Sequence, residues 1–566
     1  MSLNQESYLC RKGTPPLLET TIPAHFQSIE KKYSQREAVV SLPQNRRLTY
    51  GQLSEEIDRL AKGLMGLGFG RGNRIGIWST NNIEWLLLQM ATARIGAVLV
   101  NINPAYKPAE LAYALRKSEV QALFVIPGFR VSNYVATLAE VVTELKKSSG
   151  QITSTEFPFL QRVVLYDPRS PAETLKPFPG FTVWKEVIAS GEALLQSALE
   201  SVTASLQCHD PINIQYTSGT TGFPKAVVLS HRNILNNAFF TAQAMHFGQK
   251  DRLCVSVPFY HCFGMVLANL LCLSVGACIV IPCEHFDAGQ VLQAVDQEKC
   301  TAIHGVPTMF IAELEHHDFN RYDMSSLRTG IMAGAPCPPS LMTRIIEEMH
   351  CRDILIGYGE TEASPITHLT TREDSIERRI TTVGRNLPHQ EVKIVNVADG
   401  ATVPVGEVGE ICFRGYHIMQ GYYGDPEATV KAVDEEGWLY SGDLGRMDSE
   451  GYVQITGRLK EMIIRGGENI YPREIEEVLI THPDVVEAAV FGVPDDYYGE
   501  EIMAWIRLRH QDNVTEDTIR EFCRDKMAHF KVPHYIRFVS EFPMTVTGKI
   551  QKFRMREIAV AERGNK

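Results

Sequence analysis

The sequence predicts an α/β protein: a large N-terminal α/β domain of several subdomains, one of them β-rich, and a small α+β domain at the C-terminal end. Three observations predict it. Over residues 48–126, and again over 211–304, periodic stretches of helix length alternate with short apolar runs of strand length, the pattern of largely parallel sheets. Between 383 and 443 the apolar runs shorten and Gly-rich turns separate them. Beyond Gly457-Arg458-Leu459-Lys460 a compact remainder of roughly one hundred residues has the size of a small domain. The full 566 residues exceed what one hydrophobic core organises.

Taken in order, Leu48-Thr49-Tyr50-Gly51-Gln52-Leu53 leads into a periodic helix through Leu67, ended by Gly68 and Gly70. A strand follows at 74–78, an amphipathic helix at 82–95, a strand at 97–100, a helix at 108–117 and a strand at 122–126. Residues 146–158 and 166–180 are polar and rich in Pro and Gly, which reads as surface connection. Ile212 to Tyr216 reads as a short buried strand. After a polar loop come Val227-Val228-Leu229 and then Ser230-His231-Arg232-Asn233, a cluster suited to starting a helix. The alternation resumes at 253–258, 265–274, 277–282, 289–298 and 302–304. In the C-terminal part, Pro472 sits where the first turn of a helix would begin, strands are expected at 488–493 and 503–508, and a helix at 516–527.

The loop Tyr216-Thr217-Ser218-Gly219-Thr220-Thr221-Gly222-Phe223-Pro224-Lys225 carries the chemistry. Its glycines let the backbone approach a ligand closely, its hydroxyls and backbone N–H groups can ring an anion, and its lysine supplies a point charge for phosphate. It is not a Walker loop, because Gly222 and Lys225 are not adjacent and no Ser or Thr follows the lysine. A plain flexible Ser/Thr/Gly loop is the bland reading of such a composition. This loop resembles the phosphate-binding signature of the adenylate-forming superfamily of acyl-CoA synthetases, luciferases and adenylation domains. It departs from that signature at Ala226, where the family has glycine. If the position required φ > 0, the swap would cost about 1 kcal/mol.

Further segments carry the resemblance in order along the chain. Val257-Pro258-Phe259-Tyr260-His261-Cys262-Phe263-Gly264 is similar to the segment that walls the carboxylate site, with His261 beside the reacting carboxylate. It lacks the aspartate that amino-acid-activating relatives use for the substrate ammonium. Gly334-Ala335-Pro336 and Gly357-Tyr358-Gly359-Glu360-Thr361-Glu362 resemble the adenine pocket and the motif beside the triphosphate. Tyr440-Ser441-Gly442-Asp443 resembles the ribose motif. Arg458 resembles the second ribose and phosphate contact, Lys460 the hinge, and Arg465-Gly466-Gly467-Glu468-Asn469 the loop facing thioester formation. Pro543 to Ile550 resembles the C-terminal lysine motif. Taken singly, most have bland readings: a core histidine, an acidic turn, a β-turn.

The resemblance implies domains at 1–457 (AMP-binding, adenylation) and 458–566 (a mobile lid), and a two-step ligase using ATP, Mg²⁺ and coenzyme A. It implies nucleotide contacts from Asn213, Ile214, Gln215, Tyr216, Thr217, Ser218, Gly219, Thr220, Thr221, Gly222 and Lys225, from Gly334, Ala335, Tyr358 and Thr361, and from Asp443 and Arg458. Lys549, His261 and Glu362 are the implied catalytic residues, Glu362 also the metal ligand. Within the superfamily the chain most resembles medium-chain acyl-CoA ligases, through 208–215, 463–472 and 548–553, departing from them at Glu360, at Ala226 and in the N-terminal segment. A fatty acid is the implied substrate. The uncharged run after His261 and the segment His304 to Phe310 are expected to form its apolar wall. Aryl- or coumarate-type CoA ligases, luciferase-like oxygenases and an inactive nucleotide-binding scaffold remain alternatives.

Bulk properties set outer limits. Hydrophobic content of 44% and charged content of 22% are those of a globular protein, and a net charge of −11 gives no electrostatic case for nucleic acid or anionic lipid. Twelve cysteines lie scattered with no C-x-x-C, so neither zinc nor a disulfide framework is expected. The uncharged run 253–283 is interrupted by Pro, His, Gly and Asn, and reads as strand, loop, buried helix and strand rather than a membrane span. The first nineteen residues show neither a secretory signal nor an Arg-rich transit peptide. The family resemblance implies a mitochondrial location, with a cytoplasmic one as the alternative, and the N-terminus leaves open either a cytosolic protein or a chain whose targeting segment is absent.

Overall fold

Two long sheets organise most of the chain, each built from the parallel strands that the alternation predicts. The computed structural model describes residues 5–148, 150–170, 179–217, 224–335, 337–466, 468–495, 497–509, 514–544 and 550–564. The chain divides into two compact units. One comprises 10–391 and 413–439; the other comprises 392–412 and 440–564 with 5–9.

In the larger unit the first sheet runs in the order Thr182–Val183, Arg162–Leu165, Ala122–Val125, Arg74–Trp78, Val98–Ile102, Pro211–Thr217, Lys225–Ser230, Gly421–Tyr422. It is parallel through Pro211–Thr217 and antiparallel beyond. The second sheet runs Arg385–Asn386, Ile366–Leu369, Asp353–Gly359, Thr329–Ala333, Ala302–Gly305, Arg252–Val255, Cys278–Ile281, Glu37–Ser41, Arg46–Thr49. Its centre is parallel and both of its margins are antiparallel. The loops named as carrying chemistry leave the C-terminal ends of parallel strands: 211–217, 252–255, 302–305, 329–333 and 353–359. That is the end at which open α/β sheets bind ligands.

Local signals explain the boundaries. Thr49 closes a reciprocal capping box with Gln52 at the start of Tyr50–Gly66, and Ser230 does the same with Asn233 at the start of His231–Ala244. The helix Ile83–Ile95 corrects an expectation. It is buried on every side except at Glu84, not amphipathic, because helices Ile22–Tyr33, Tyr50–Gly66 and Gln196–Ala204 cover the face that would meet water. Two of its polar side chains find partners in the interior: Arg94 pairs with Asp58 at 2.9 Å, and the Thr92 hydroxyl donates to the Leu88 carbonyl. The connection at 146–158 is likewise not all surface, since Ile152 and Phe157 turn inward. The run 253–283 forms the expected strand, buried helical stretch and strand, and among the described residues no helix is long and apolar enough to cross a membrane.

Six cysteines (254, 278, 283, 300, 337 and 351) fill the core beside the second sheet, packed with Val291, Leu292, Phe310, Met332 and Ile345. All twelve thiols of the chain are free, and all but Cys10 and Cys208 are buried.

In the smaller unit the β-rich character of 383–443 extends into a five-stranded sheet, in the order Tyr8–Arg11, Gln390–Val395, Gly409–Gly415, Leu439–Met447, Val453–Arg458. A second sheet pairs Val485–Asp495 with Gly499–Leu508, flanked by Ile463–Arg465 and Tyr535–Phe538. Both of its faces are covered, and its residues sort with the two-residue period of a strand. Val490, Ile502, Ala504 and Ile506 point to a core shared with helices Pro472–Ile480 and Glu516–Arg524. Phe491, Val493, Met503 and Trp505 point to one shared with Met555 and Ala559 of the C-terminal helix Lys552–Gly564. That helix was not foreseen in the sequence, and the strands are longer than expected. Ile506→Ala would leave a cavity costing about 2–5 kcal/mol. Amide exchange should accelerate in 485–508 of the variant, and unchanged protection would show that the sheet does not depend on this core.

Candidate active site

The two strands that flank the loop expected to bind phosphate, Pro211–Thr217 and Lys225–Ser230, pair antiparallel. Thr217 opposes Lys225 and Tyr216 opposes Ala226, so the ladder delivers both ends of the loop side by side. Ser218, Gly219, Thr220, Thr221 and Gly222 lie outside the described residues, as do Pro336, Gly467 and Lys549. Ala226 is buried in the extended ladder, is not among the residues with positive φ, and accepts a hydrogen bond from Tyr423 N at 2.8 Å. No left-handed conformation is required there, so alanine in place of glycine carries no backbone strain.

The strand leading into the loop holds its surroundings through buried amides. Asn213 donates from Nδ2 to the Leu99 carbonyl at 2.8 Å and to Asn101 Oδ1 at 3.0 Å, and Asn101 donates to the Tyr260 carbonyl at 3.1 Å. Gln215 Oε1 accepts from the Cys262 thiol at 2.9 Å. Asn213, Ile214 and Gln215 are thus interior residues of the strand, which brace the 257–264 segment from within. Asn81 fixes the other end of that segment, donating to the Val257 carbonyl at 3.0 Å and accepting from Phe259 N at 2.8 Å. Gly264 closes the turn: a Cβ there would stand 2.2 Å from the Pro258 carbonyl oxygen, inside any contact distance.

His261 caps the short helix that follows, its Nδ1 accepting from Phe263 N at 3.1 Å, which leaves the proton of the neutral ring on Nε2. The chain then winds into a π turn, Met265–Leu270. Two carbonyls of that wider turn accept from outside the helix, Met265 from Gln89 Nε2 and Leu267 from His304 Nε2 at 3.0 Å. His304 is fully buried, stacks on Phe263, and accepts from Ile331 N through Nδ1. Phe310 is a member of the core beside the second sheet, so of 308–310 only Thr308 and Met309 keep surface for a substrate wall.

Thr361 and Glu362 occupy one 3₁₀ turn beside this segment. The Cys262 thiol, pushed up by burial, hydrogen-bonds to the Thr361 side chain and feels the Glu362 charge. Glu362 Oε1 accepts from the Tyr422 hydroxyl at 2.9 Å, and Lys225 Nζ lies 4.4 Å from the centre of the Tyr422 ring. Tyr358 is half-buried at the end of strand Asp353–Gly359, with Thr367 Oγ1 donating to its carbonyl. Gly334 and Ala335 are exposed at the end of the neighbouring strand, Gly334 at φ +87°.

The smaller unit presents its own set. Asp443 and Arg458 are direct partners across antiparallel strands, with Arg458 Nε 3.3 Å from Asp443 Oδ1. Asp443 N donates to Ser441 Oγ, and Gly442 N donates to Glu410 Oε1, whose pKa is raised by burial and by the neighbouring Asp443. Lys460 is exposed on the 3₁₀ turn Leu459–Glu461. The next residue, Glu461, pairs with Lys552 at 3.1 Å, and Glu476 pairs with it at 2.7 Å. Burial works against the charge on Lys552, but Glu476 and Glu461 together hold its pKa above the ordinary lysine value. Strand-like pairing of Met544 with Ile550 joins the two ends of the lysine loop.

The larger unit therefore brings Gln215, Thr361 and Glu362 to Cys262, next to His261, and links Glu362 through Tyr422 to Lys225, at the C-terminal ends of the strands. Comparison with known proteins agrees. The AMP-binding enzyme profile matches residues 26–423, and the AMP-binding enzyme C-terminal domain profile matches 474–549. The chain belongs to the AMP-binding enzyme family. It is 47% identical to YngI of Bacillus subtilis, provisionally named an acyl-CoA synthetase, over 96% of this chain and 97% of that one. It is 41% identical to the mitochondrial medium-chain acyl-CoA ligase ACSF2 of Macaca fascicularis, over 96% and 87%. Among solved structures it is similar to the anthranilate CoA ligase AuaEII in complex with anthranoyl-AMP, with a TM-score of 0.82, 27% identity and coverage of 97% and 99%.

Sequence reasoning missed Tyr422, Asn81, Asn101 and Lys552. For Tyr422 the available signal was the Gly421-Tyr422-Tyr423 cluster ending a turn, and for Lys552 its place three residues after Lys549.

His304 gives a pH test of this frame. Burial presses its pKa down to about 4, so it is neutral when folded, whereas an unfolded histidine takes its proton near pH 6.5. Its contribution is complete above pH 6.5 and is lost as pH falls toward 4, by about 3 kcal/mol at most. Replacing His304 by Gln, which carries no titrating group, should flatten the acid limb of a melting-temperature profile over that window. A parallel profile would mean that the ring does not titrate on unfolding.

Proposed function

We propose that the chain is an AMP-forming acid–thiol ligase that activates a medium-chain fatty acid with ATP and passes the acyl group to coenzyme A. The observation that carries this is the bracing of the uncharged 257–264 segment against the phosphate hairpin. It supports a carboxylate beside His261 and a triphosphate beside Lys225, in a segment with no acidic residue to hold a substrate ammonium. The names of YngI and ACSF2 support the same chemistry. ACSF2 supports medium chain length and a mitochondrial location, and YngI is a bacterial relative that aligns over 96% of this chain at 47% identity.

In the first step a carboxylate oxygen bonds to the α-phosphorus of ATP and pyrophosphate leaves with the electrons of the broken P–O bond. Lys225 and the loop hydroxyls hold phosphate oxygens, Gly334, Ala335 and Tyr358 frame adenine, and Asp443 accepts from the ribose diol, with Arg458 beside it. Glu362, with Thr361, offers the hard oxygens that suit Mg²⁺, which when bound neutralises charge on the phosphates. Lys549 stabilises the charge that develops at the α-phosphate. In the second step the CoA thiolate bonds to the acyl carbon and AMP leaves with the C–O bonding electrons. Rotation of the 458–566 lid about Lys460 exchanges Lys549 for the 465–469 loop between the steps.

Lys549→Ala should slow acid-dependent pyrophosphate release by the equivalent of roughly 2–4 kcal/mol while sparing thioester formation from supplied acyl-adenylate. Equal losses in both half-reactions would assign the lysine a structural role instead.

An aryl acid is the second reading, favoured by the likeness to AuaEII and by the withdrawal of Phe310 into the core. An acid panel decides between them. For a fatty-acid site kcat/KM should climb with chain length, at about 0.8 kcal/mol per buried CH₂, level at medium length, and then fall. A maximum at benzoate or anthranilate with no alkyl trend would select the aryl ligase.

A further inference from the structure

The segment Gly421–Tyr422 lies between two groups of opposite charge that the proposed reaction needs separately. Tyr422 is buried, and its strand pairs antiparallel with Lys225–Ser230, Val227 opposite Tyr422. Met419 N donates to the Glu362 carbonyl at 2.8 Å, and Tyr423 N donates to the Ala226 carbonyl at 2.8 Å. The segment is therefore bonded by its own backbone to the turn that carries Glu362 and to the strand that begins at Lys225. Its ring repeats that arrangement with side chains. The Lys225 ammonium sits over the ring face at 4.4 Å, and the hydroxyl donates to the Glu362 carboxylate at 2.9 Å. Burial first, then the Glu362 charge, raise the phenol's pKa, so the hydroxyl stays protonated and remains a donor.

From this geometry we infer that Tyr422 is a positioning residue that keeps Lys225 and Glu362 apart and separately oriented. It gives the lysine a π face in place of the carboxylate, and gives the carboxylate a neutral donor in place of the lysine. Without the ring the two charges would be free to pair, and such a pair would withdraw the lysine from phosphate and the carboxylate from the divalent cation together. The inference rests on the reading that Lys225 meets phosphate and Glu362 a metal ion. It adds that one aromatic side chain sets both.

The two ideas fail differently in binding measurements. Calorimetry on the full chain would compare MgATP with ATP in EDTA for Y422F, Y422L, E362Q and the two double variants, with melting temperatures as a check on folding. Y422F keeps the ring and loses only the hydroxyl, so MgATP binding should weaken about tenfold or more while metal-free ATP binding holds. In the E362Q background Y422F should add no more than about twofold, because the hydroxyl no longer faces a carboxylate. Y422L should weaken metal-free ATP binding as well, since Lys225 is drawn to Glu362, and adding E362Q should restore it. Equal losses from Y422F with and without E362Q, or no restoration in Y422L/E362Q, would overturn the inference. If E362Q leaves the difference between MgATP and metal-free ATP untouched, the metal reading of Glu362 falls, and the role of Tyr422 with it.

Discussion

The larger unit depends on one buried hydrogen-bond relay, in which Asn213 of the phosphate strand reaches Asn101 of its parallel neighbour and Asn101 reaches the Tyr260 carbonyl. Strand ladders fix 211–217 beside 98–102 but say nothing about the irregular 256–264 segment, which leaves from a different sheet. An amide left unpaired in this interior would cost about 1–3 kcal/mol, so the relay discriminates against any other placement of that segment. Gln215 adds a second tie two residues on, on the same face of the strand, and Asn81 a third from the far side. The sequence Asn213-Ile214-Gln215 thus alternates polar braces with an apolar residue packed on the opposite face. The π turn extends the frame, since its carbonyls at 265 and 267 fasten it to Gln89 and to His304.

Much of the fold was legible because its signals are local. The alternation of periods, Ser230 and Pro472 at helix starts, and glycines at turns each act within a few residues of the structure they cause, and the helix Pro108–Lys117 was placed to the residue. What escaped required knowledge of neighbours. Ile83–Ile95 carries Gln, Thr and Arg at positions that a single helix would show to water, and only the Asp58 partner and the covering helices make them interior. Phe310 looked like part of a substrate wall by its place after His304, yet one turn of helix points it into the core. Motif likeness found the residues expected to meet ligand. The residues that orient them act through contacts far apart in sequence: Asn101 left no local pattern to read, and Tyr422 only the Gly421-Tyr422-Tyr423 cluster.

The smaller unit handles charge in two ways. Asp443 and Arg458 face each other through strand register, at a separation of 3.3 Å and with the arginine side chain 54% exposed. A pair so open to solvent contributes little, and a ligand offering hydroxyls could replace it at small cost. Lys552 is the opposite case: enclosed, with two carboxylates around it, it stays paired if one partner moves off and would be left as an uncompensated buried charge only if both did. The first arrangement suits a contact that must exchange, and the second a joint between the 459–461 turn and the C-terminal helix that must hold.

The distribution of sulfur has a practical meaning of its own. Because every thiol except those of Cys10 and Cys208 is enclosed, and burial raises the pKa of Cys262, Cys272 and Cys278, the native chain offers an alkylating reagent only those two sites. The six sulfurs beside the second sheet become reactive only when that core opens, and Cys523 only when the C-terminal sheet does. Labelling followed by peptide mapping would therefore time the loss of each unit separately, using probes the chain already carries.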